Sequence, residues 1–510
     1  MALSLTDILT FVGFFAVVIG ISLYKSRNES SSADYFLAGR SLGWGLIGFS
    51  LIASNISTEH FVGMAGQGFG SVGMAVASYE WMAAVVLVFV GLFLLPRFLR
   101  SGIYTIPEYL EYRFNATSRL IMAVFMMIMY VAVALASILY SGAIGLTTIF
   151  DLDLTTGVWA IGIIAGLYTI YGGLKAVVWT DLFQGGALLI GGFVVMVLGF
   201  MAVGGPATFF EQNADKLHVI LPADNPDIPW TALVLGLWIP NIFYWGLNQF
   251  IVQRTLGAKS LRDGQLGIML AAGIKVIIPF IIILPGIMAY ELYADQITNP
   301  DQAYPTLIRE ILPAGFRGIM FAALFGAVLS SLDSMLNSAS TIFTMDLYKR
   351  HFKPDAETTS LVRIGQMATG VFVLVACLIA PLLGNPEFGG IFTYIQMFQG
   401  FISPGIVTVF LFGLIVKKAP PAAAIAALLG NVVIYGVLLW TLPDESFLNH
   451  MAITFLALIA LMGVITAMRP LTEPVVMPVN EDIDITPSAT ARKLGMGVLA
   501  AVVVMYIIFW

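Results

Sequence analysis

Along this chain, long apolar runs alternate with short polar segments, and most runs approach the roughly 17 to 25 residues a helix needs to cross a bilayer's hydrocarbon core. Fourteen stretches meet that length or come close to it: residues 8–24, 42–68, 72–96, 120–144, 157–171, 182–203, 231–250, 266–290, 315–343, 365–383, 389–416, 419–442, 451–468 and 494–510. The fifth is the shortest and has the least certain bounds. The pattern predicts an all-α integral membrane protein with about fourteen transmembrane helices.

The polar segments between them carry a second signal. Threading the chain through fourteen spans sorts twenty of the 24 Lys and Arg residues to one side, among them Lys25, Arg40, Arg113, Lys175, Arg254, Arg350 and Lys493. The other side receives only Lys216, Arg309 and Arg317, and Lys275 falls inside a span. The positive-inside rule makes the crowded side cytoplasmic and puts both termini outside. The longest aqueous segments, residues 204–230 and 469–493, are too short for a soluble domain, so residues 1–510 are read as a single membrane domain. Spans two to six and seven to eleven each open with helix-weakening residues, Ser54-Asn55-Ile56-Ser57 in one and Pro240-Asn241 in the other. Interrupted helices at matching positions of two halves point to an inverted-repeat transporter with a midplane site. Residues 42–204 form the first repeat on this reading, 231–416 the second, and 419–510 peripheral C-terminal helices; the bland alternative is two ordinary kinked helices.

Composition agrees with the pattern and narrows the function. Hydrophobic residues make up 59% of the chain and charged residues 11%, against about 25% charged in soluble domains. The formal charge of −6 includes no basic block, which argues against nucleic acid or a polybasic lipid-binding tail. Cys377 is the single cysteine, so neither an intrachain disulfide nor a cysteine metal set is available. Residues 8–24 lack a basic leader and a cleavage site and are read as a retained anchor.

An ionisable side chain near the bilayer centre costs about 2.5–3.5 kcal/mol on insertion scales and calls for a partner or a function. Six qualify: Glu59, His60, Glu80, Asp181, Lys275 and Asp333. Glu80 and Lys275 suit a structural salt bridge, or a polar site with His60, Asn241 and Gln396, where a carboxylate accepts from sugar hydroxyls and an ammonium donates to them. Met64, Tyr79, Tyr244, Trp245 and Phe392 would cover the apolar ring faces of such a ligand, or simply pack helices. For a cation, the breaking segment from Ala53 to Ile56 offers unwound carbonyls and Ser330-Ser331 offers hydroxyls, although membrane serines often bond back to their own helix. Asp333 follows Ser330 by three residues on one helical face. With Asp181 and Ser334 it could frame a second cation site; the two carboxylates could equally be loop-proximal anions.

Several motifs go further. Residues 34–40 (DYFLAGR), 50–57 (SLIASNIS), 77–81 (ASYEW) and 171–181 (YGGLKAVVWTD) resemble the sodium/solute symporter family. Residues 244–249 (YWGLNQ), 253–256 (QRTL), 330–346 (SSLDSMLNSASTIFTMD) and 394–396 (YIQ) are similar to its sodium/glucose and galactose branch. The resemblance covers residues 8–416; the last three helices match mainly in hydropathy. It implies a leucine-transporter-type 5+5 core with Na+ as coupling ion. It also implies sugar contacts at His60, Glu80, Asn241, Lys275 and Gln396, with Asn55 a further candidate. Met64, Tyr79 and Phe392 would be the outer lid and Tyr244 the inner gate. Sodium would meet the backbone oxygens of Ala53, Ile56 and Ala327 and the hydroxyls of Ser330 and Ser331. His60 and Ala83 differ from some bacterial members, which leaves the preferred hexose open, and Asp333 stands where a small or hydroxyl residue is usual.

The expected function is sodium-coupled monosaccharide symport across the cell membrane, with no catalysis, no nucleic acid and an oligomeric state left between monomer and homodimer. Sodium symport of myo-inositol, a sugar acid or an amino acid is the rival within the class, and Glu80 disfavours anions. A channel would need a continuous polar lining, and a membrane enzyme a nucleophile–base or metal cluster; neither pattern is present.

Overall fold

A computed structural model describes residues 4–26, 41–103, 105–150, 152–171, 174–384, 390–481 and 483–510. The 34–40 motif therefore lies outside the described residues, as do the side chains of residues 170–182, Asp181 and Lys175 among them. Among the described residues the chain is helical, with only two isolated β-bridges. Ten helices are long and apolar enough to cross a membrane, and the bent pair Ile391–Gln399 and Ser403–Ile415 makes an eleventh span. Shorter apolar helices, Leu5–Val18, Trp44–Asn55 and Leu154–Gly166, occupy the first, second and fifth predicted stretches. A helix lies in every one of the fourteen.

The second span is the centre of the packing. Its first half, Trp44–Asn55, stops where Ile56 leaves helical geometry (φ −74°, ψ 91°), and the chain resumes with a π-helical turn, Glu59–Met64. Asn, Ile and Ser in succession are weak helix formers, and polar Asn and Ser compete for backbone bonds. The eighth span, Leu261–Tyr293, runs the full depth beside both halves. It lies close enough that a Cβ on Gly48 would sit 2.8 Å from the Gly267 carbonyl oxygen, and one on Gly286 2.2 Å from the Ala65 carbonyl oxygen. Small residues permit such backbone approach in lipid, where van der Waals packing drives association. The sixth span wedges in from the side: a Cβ on Gly185 would fall 2.6 Å from that of Ala53, and Gln184 lies against Gly326 of the ninth span.

In the seventh span the break is not at Pro240-Asn241, as the sequence suggests. Helix Trp230–Leu235 gives way at Gly236-Leu237, Pro240 lies inside helix Trp238–Ile242, and a π-helical turn, Phe243–Leu247, ends at Asn248 in extended geometry. Proline is tolerated there because it occupies the first turn of a helix, where an N–H has no intrahelical partner.

Polar ties fix the ends of this core. Asp7 of the first span accepts backbone N–H groups of Gly315 (2.8 Å) and Gly318 (3.2 Å), capping the ninth span, Phe316–Thr341. At the opposite end, Arg119 bonds Asp346 (2.5 Å) and Glu111 (2.7 Å), which also meets Arg350 (2.5 Å). The break between Gln399 and Ser403, a 43° bend, is held from the twelfth span: the Asn431 amide donates to the Gly400 oxygen (3.3 Å) and the Phe401 oxygen, and the Tyr435 hydroxyl donates to the Met397 oxygen (2.9 Å).

Candidate substrate and cation sites

The two broken spans and the eleventh converge on one buried cavity, lined by Asn55, Glu59, His60, Tyr79, Glu80, Ala83, Asn241, Tyr244, Trp245, Phe392 and Gln396 among others. Glu80 comes from helix Ala77–Phe89 and Lys275 from the eighth span, whose close seat on the second brings the ammonium to the carboxylate. Lys275 donates to Glu80 Oε2, and His60 Nε2 is 3.5 Å from Oε1. Lys275 is fully buried and its Nζ lies 5.1 Å from the Trp245 ring centre, a second favourable contact for the cation. Burying both charges is tolerable only because each meets the other.

On one side of this cluster Tyr79 meets Phe392 edge to face at 4.9 Å, both rings lining the cavity, and Met64 is buried outside the lining. On the opposite side Tyr244 stands 5.2 Å from Trp245 and 5.5 Å from Phe250, and its hydroxyl accepts from the Asn55 amide at 2.9 Å. Asn241 turns its amide nitrogen back to the Leu237 oxygen (3.0 Å). Asn55 Oδ1, Glu59 Oε1, His60 Nδ1 and Gln396 Oε1 are buried without a hydrogen-bond partner. Buried polar atoms are nearly always satisfied, so four such atoms on one cavity mark a place for a hydrogen-bonding ligand. Sequence reasoning placed all of these residues except Glu59 in the site; Glu59 appeared only as an ionisable group in a span.

The residues expected to hold a cation lie on two helices that pack against each other, one of which ends at the break of the second span. Ala53 and Ile56 sit at a helix end, where the last carbonyls have no intrahelical donors, and the ninth span with Ala327, Ser330 and Ser331 packs against that helix. All five are buried, and Ser331 Oγ has no partner. Hard oxygens of this kind suit an alkali cation. Asp333, two residues on from Ser331, accepts from the Thr169 hydroxyl, and Ser334 Oγ accepts from Arg254 (3.0 Å). Among the described residues no group of three or more His, Cys, Asp or Glu gathers as a metal centre.

Comparison with known proteins follows this geometry. The profile of the "Sodium:solute symporter family" matches residues 35–431. A "Sodium/glucose cotransporter" of Vibrio parahaemolyticus is 41% identical, over all of this chain and 99% of its own. A "Sodium/myo-inositol cotransporter 2" of Mus musculus is 34% identical over 83% of this chain and 68% of its own. Among solved structures, a Na+-coupled sialic acid symporter in a substrate-bound outward-open state superposes with a TM-score of 0.81 at 23% identity, over 93% of this chain and 99% of that one; at that identity the likeness speaks for the fold. The broken spans, the buried cavity between them and a family match over more than three quarters of the residues lead to one conclusion: this chain belongs to the sodium:solute symporter family.

Proposed function

We propose that the protein is a sodium/monosaccharide symporter of the glucose and galactose type, working by alternating access. The observation that carries this is the cavity where buried Glu80, Lys275 and His60 face unpartnered Gln396 and Asn55 oxygens under the Tyr79–Phe392 pair. Acceptors, donors and aromatic cover around one cavity match a polyhydroxylated ring. The 41% identity to a chain named a sodium/glucose cotransporter supports the same reading. His60, Glu80, Asn241, Lys275, Gln396 and Asn55 are the substrate contacts in this proposal. Met64, Tyr79 and Phe392 form the outer lid and Tyr244 the inner gate. Sodium is held by Ala53, Ile56, Ala327, Ser330 and Ser331, with Asp181, Asp333 and Ser334 as the place of a second ion if one moves.

Residues 42–204 and 231–416 act as the two inverted repeats, with fourteen spans in all and both termini outside. In support, the second and seventh spans each carry a π-helical turn beside their break, Glu59–Met64 and Phe243–Leu247. Sodium holds the broken second span in the outward-open form, sugar closes the lid, and the core then releases both inward past Tyr244. Each ligand drives the cycle only through its different affinity for the two states. A 100 mV potential contributes about 2.3 kcal/mol per charge and a tenfold sodium gradient about 1.4 kcal/mol. One sodium then supports roughly 400- to 500-fold accumulation, and two would square it.

The test is uptake of labelled glucose and galactose into proteoliposomes under an inward sodium gradient against potassium, repeated with Gln396→Ala and Ser331→Ala. Sodium-dependent accumulation lost in both variants supports the reading. If neither sugar enters, myo-inositol is the next substrate, since a relative at 34% identity is named for it.

A further inference from the structure

Resting on the monosaccharide reading, we propose that Glu59 is an additional substrate contact that selects by charge and extends the accepted ligands to hexoses bearing a protonated amino group. Glu59 opens the π-helical turn of the second span, one residue before His60, and lines the same cavity. Its backbone N–H is already engaged with Ser57 Oγ at 3.2 Å, which fixes the turn that presents the side chain. Its Oε1 is buried without a partner, and among the described residues no ion pair includes it.

Lys275 and Glu80 balance each other, and Glu59 adds an acid that nothing in the cavity offsets. No Lys or Arg lines the cavity; the fully buried Lys275 is committed to Glu80, and His60 also turns its Nε2 to Glu80. Glu59 is therefore a second carboxylate for which the site supplies no cation. Three of the four unpartnered atoms there, on Asn55, Glu59 and Gln396, are acceptor oxygens. An ammonium brings three donors and the missing positive charge, whereas a neutral hexose brings hydroxyls alone and a uronate adds a third carboxylate. The order of preference set by Glu59 is cationic over neutral over anionic.

The probes are D-glucosamine hydrochloride, D-glucose and D-glucuronate, titrated in sodium buffer against the full-length purified protein, with the thermal unfolding midpoint as readout. Choline chloride controls for ionic strength. Wild type is expected to be stabilised by glucosamine, and Glu59→Gln to raise the half-saturating glucosamine concentration about tenfold or more relative to that for glucose, the change implied by losing a hydrogen bond to a charged group. Glu59→Asp is expected to restore part of the ratio. Because the readout is a ratio within each variant, a general weakening of the protein does not mimic the effect. Stabilisation by glucose but not by glucosamine overturns this proposal alone, as does an unchanged ratio in Glu59→Gln; stabilisation by glucosamine but not by glucose leaves it standing and overturns the neutral-hexose reading; silence to both sugars overturns both.

Discussion

Lys275→Met is the sharpest test of how this cavity is built. The ammonium is fully buried, bonded to a carboxylate that is 4% exposed, and methionine keeps nearly the same length and volume. The change therefore removes charge with little change in packing. Removing one partner of a buried ion pair costs about 3–5 kcal/mol, because the other charge stays behind in low dielectric, whereas an ordinary hydrogen bond between membrane helices averages about 0.6 kcal/mol. In Lys275→Met, Glu80 keeps only His60 at 3.5 Å and faces Glu59 across the same cavity. In Glu80→Gln, the ammonium keeps the Trp245 face, so that loss should be the smaller of the two. Replacing both removes both charges and is expected to restore most of the stability, while sodium-driven uptake stays absent. The assay is a double-mutant cycle of thermal midpoints on purified protein, with uptake measured alongside. A coupling of at least about 1.5 kcal/mol is expected, as measured for close charge pairs elsewhere. Losses that simply add, or a Lys275→Met protein as stable as wild type, would refute the reasoning.

Other outcomes follow from geometry described above. Ser331→Ala should leave the fold nearly as stable, since the hydroxyl has no protein partner, yet lose uptake at the sodium level that drives wild type and recover it only at higher sodium; an unchanged sodium titration would remove Ser331 from the cation site. Tyr244→Phe loses the 2.9 Å bond from Asn55 and should cost about 1 kcal/mol in substrate affinity, with Tyr244→Ala costing more; equal affinities in both variants would argue against a gate. Burial pushes the Asp301 carboxyl, which accepts from the Ile391 N–H at 3.4 Å next to Phe392, up from 3.8 to about 6. Its charged form is the disfavoured one, so its contribution to stability is full below about pH 4 and is lost as pH rises through about 6. Midpoints scanned over that window should fall with pH in wild type and flatten in Asp301→Asn.

The features legible in the sequence were those that break a rule for lipid. Charges inside spans stand out against an apolar background, which is why Glu80, Lys275 and His60 could be placed before any contact was known. The positions of the helices were equally plain, since span length and hydropathy are local. What escaped was geometry that depends on neighbours. The π-helical turns at Glu59–Met64 and Phe243–Leu247 leave the hydrophobic pattern unchanged. Proline at 240 suggested a break that the fold instead makes at Gly236 and Asn248, because a proline in a first turn costs nothing extra. Glu59 went unassigned to the site because what singles it out, a buried Oε1 without a hydrogen-bond partner, is a property only the packed cavity reveals. Asn431 and Tyr435 were hidden for the opposite reason: two polar groups in an apolar helix read as unremarkable until their carbonyl partners are seen.

The hold that Asn431 and Tyr435 keep on the bend between Gln399 and Ser403 has a consequence for where this transporter lives. Their helix, Pro421–Thr441, turns Leu429, Val433 and Val437 outward at 49–64% exposure, so one flank belongs to the bilayer and the other to the bend next to the helix that carries Phe392 and Gln396. Lipid thickness acts on such a helix with fractions of a kcal/mol per Å of mismatch, a strain that the Asn431 and Tyr435 bonds pass to the bend. The membrane's lateral pressure thus has a mechanical route to the cavity that touches neither ligand. Uptake rates in thin and thick vesicles should diverge in wild type and converge in Asn431→Ala.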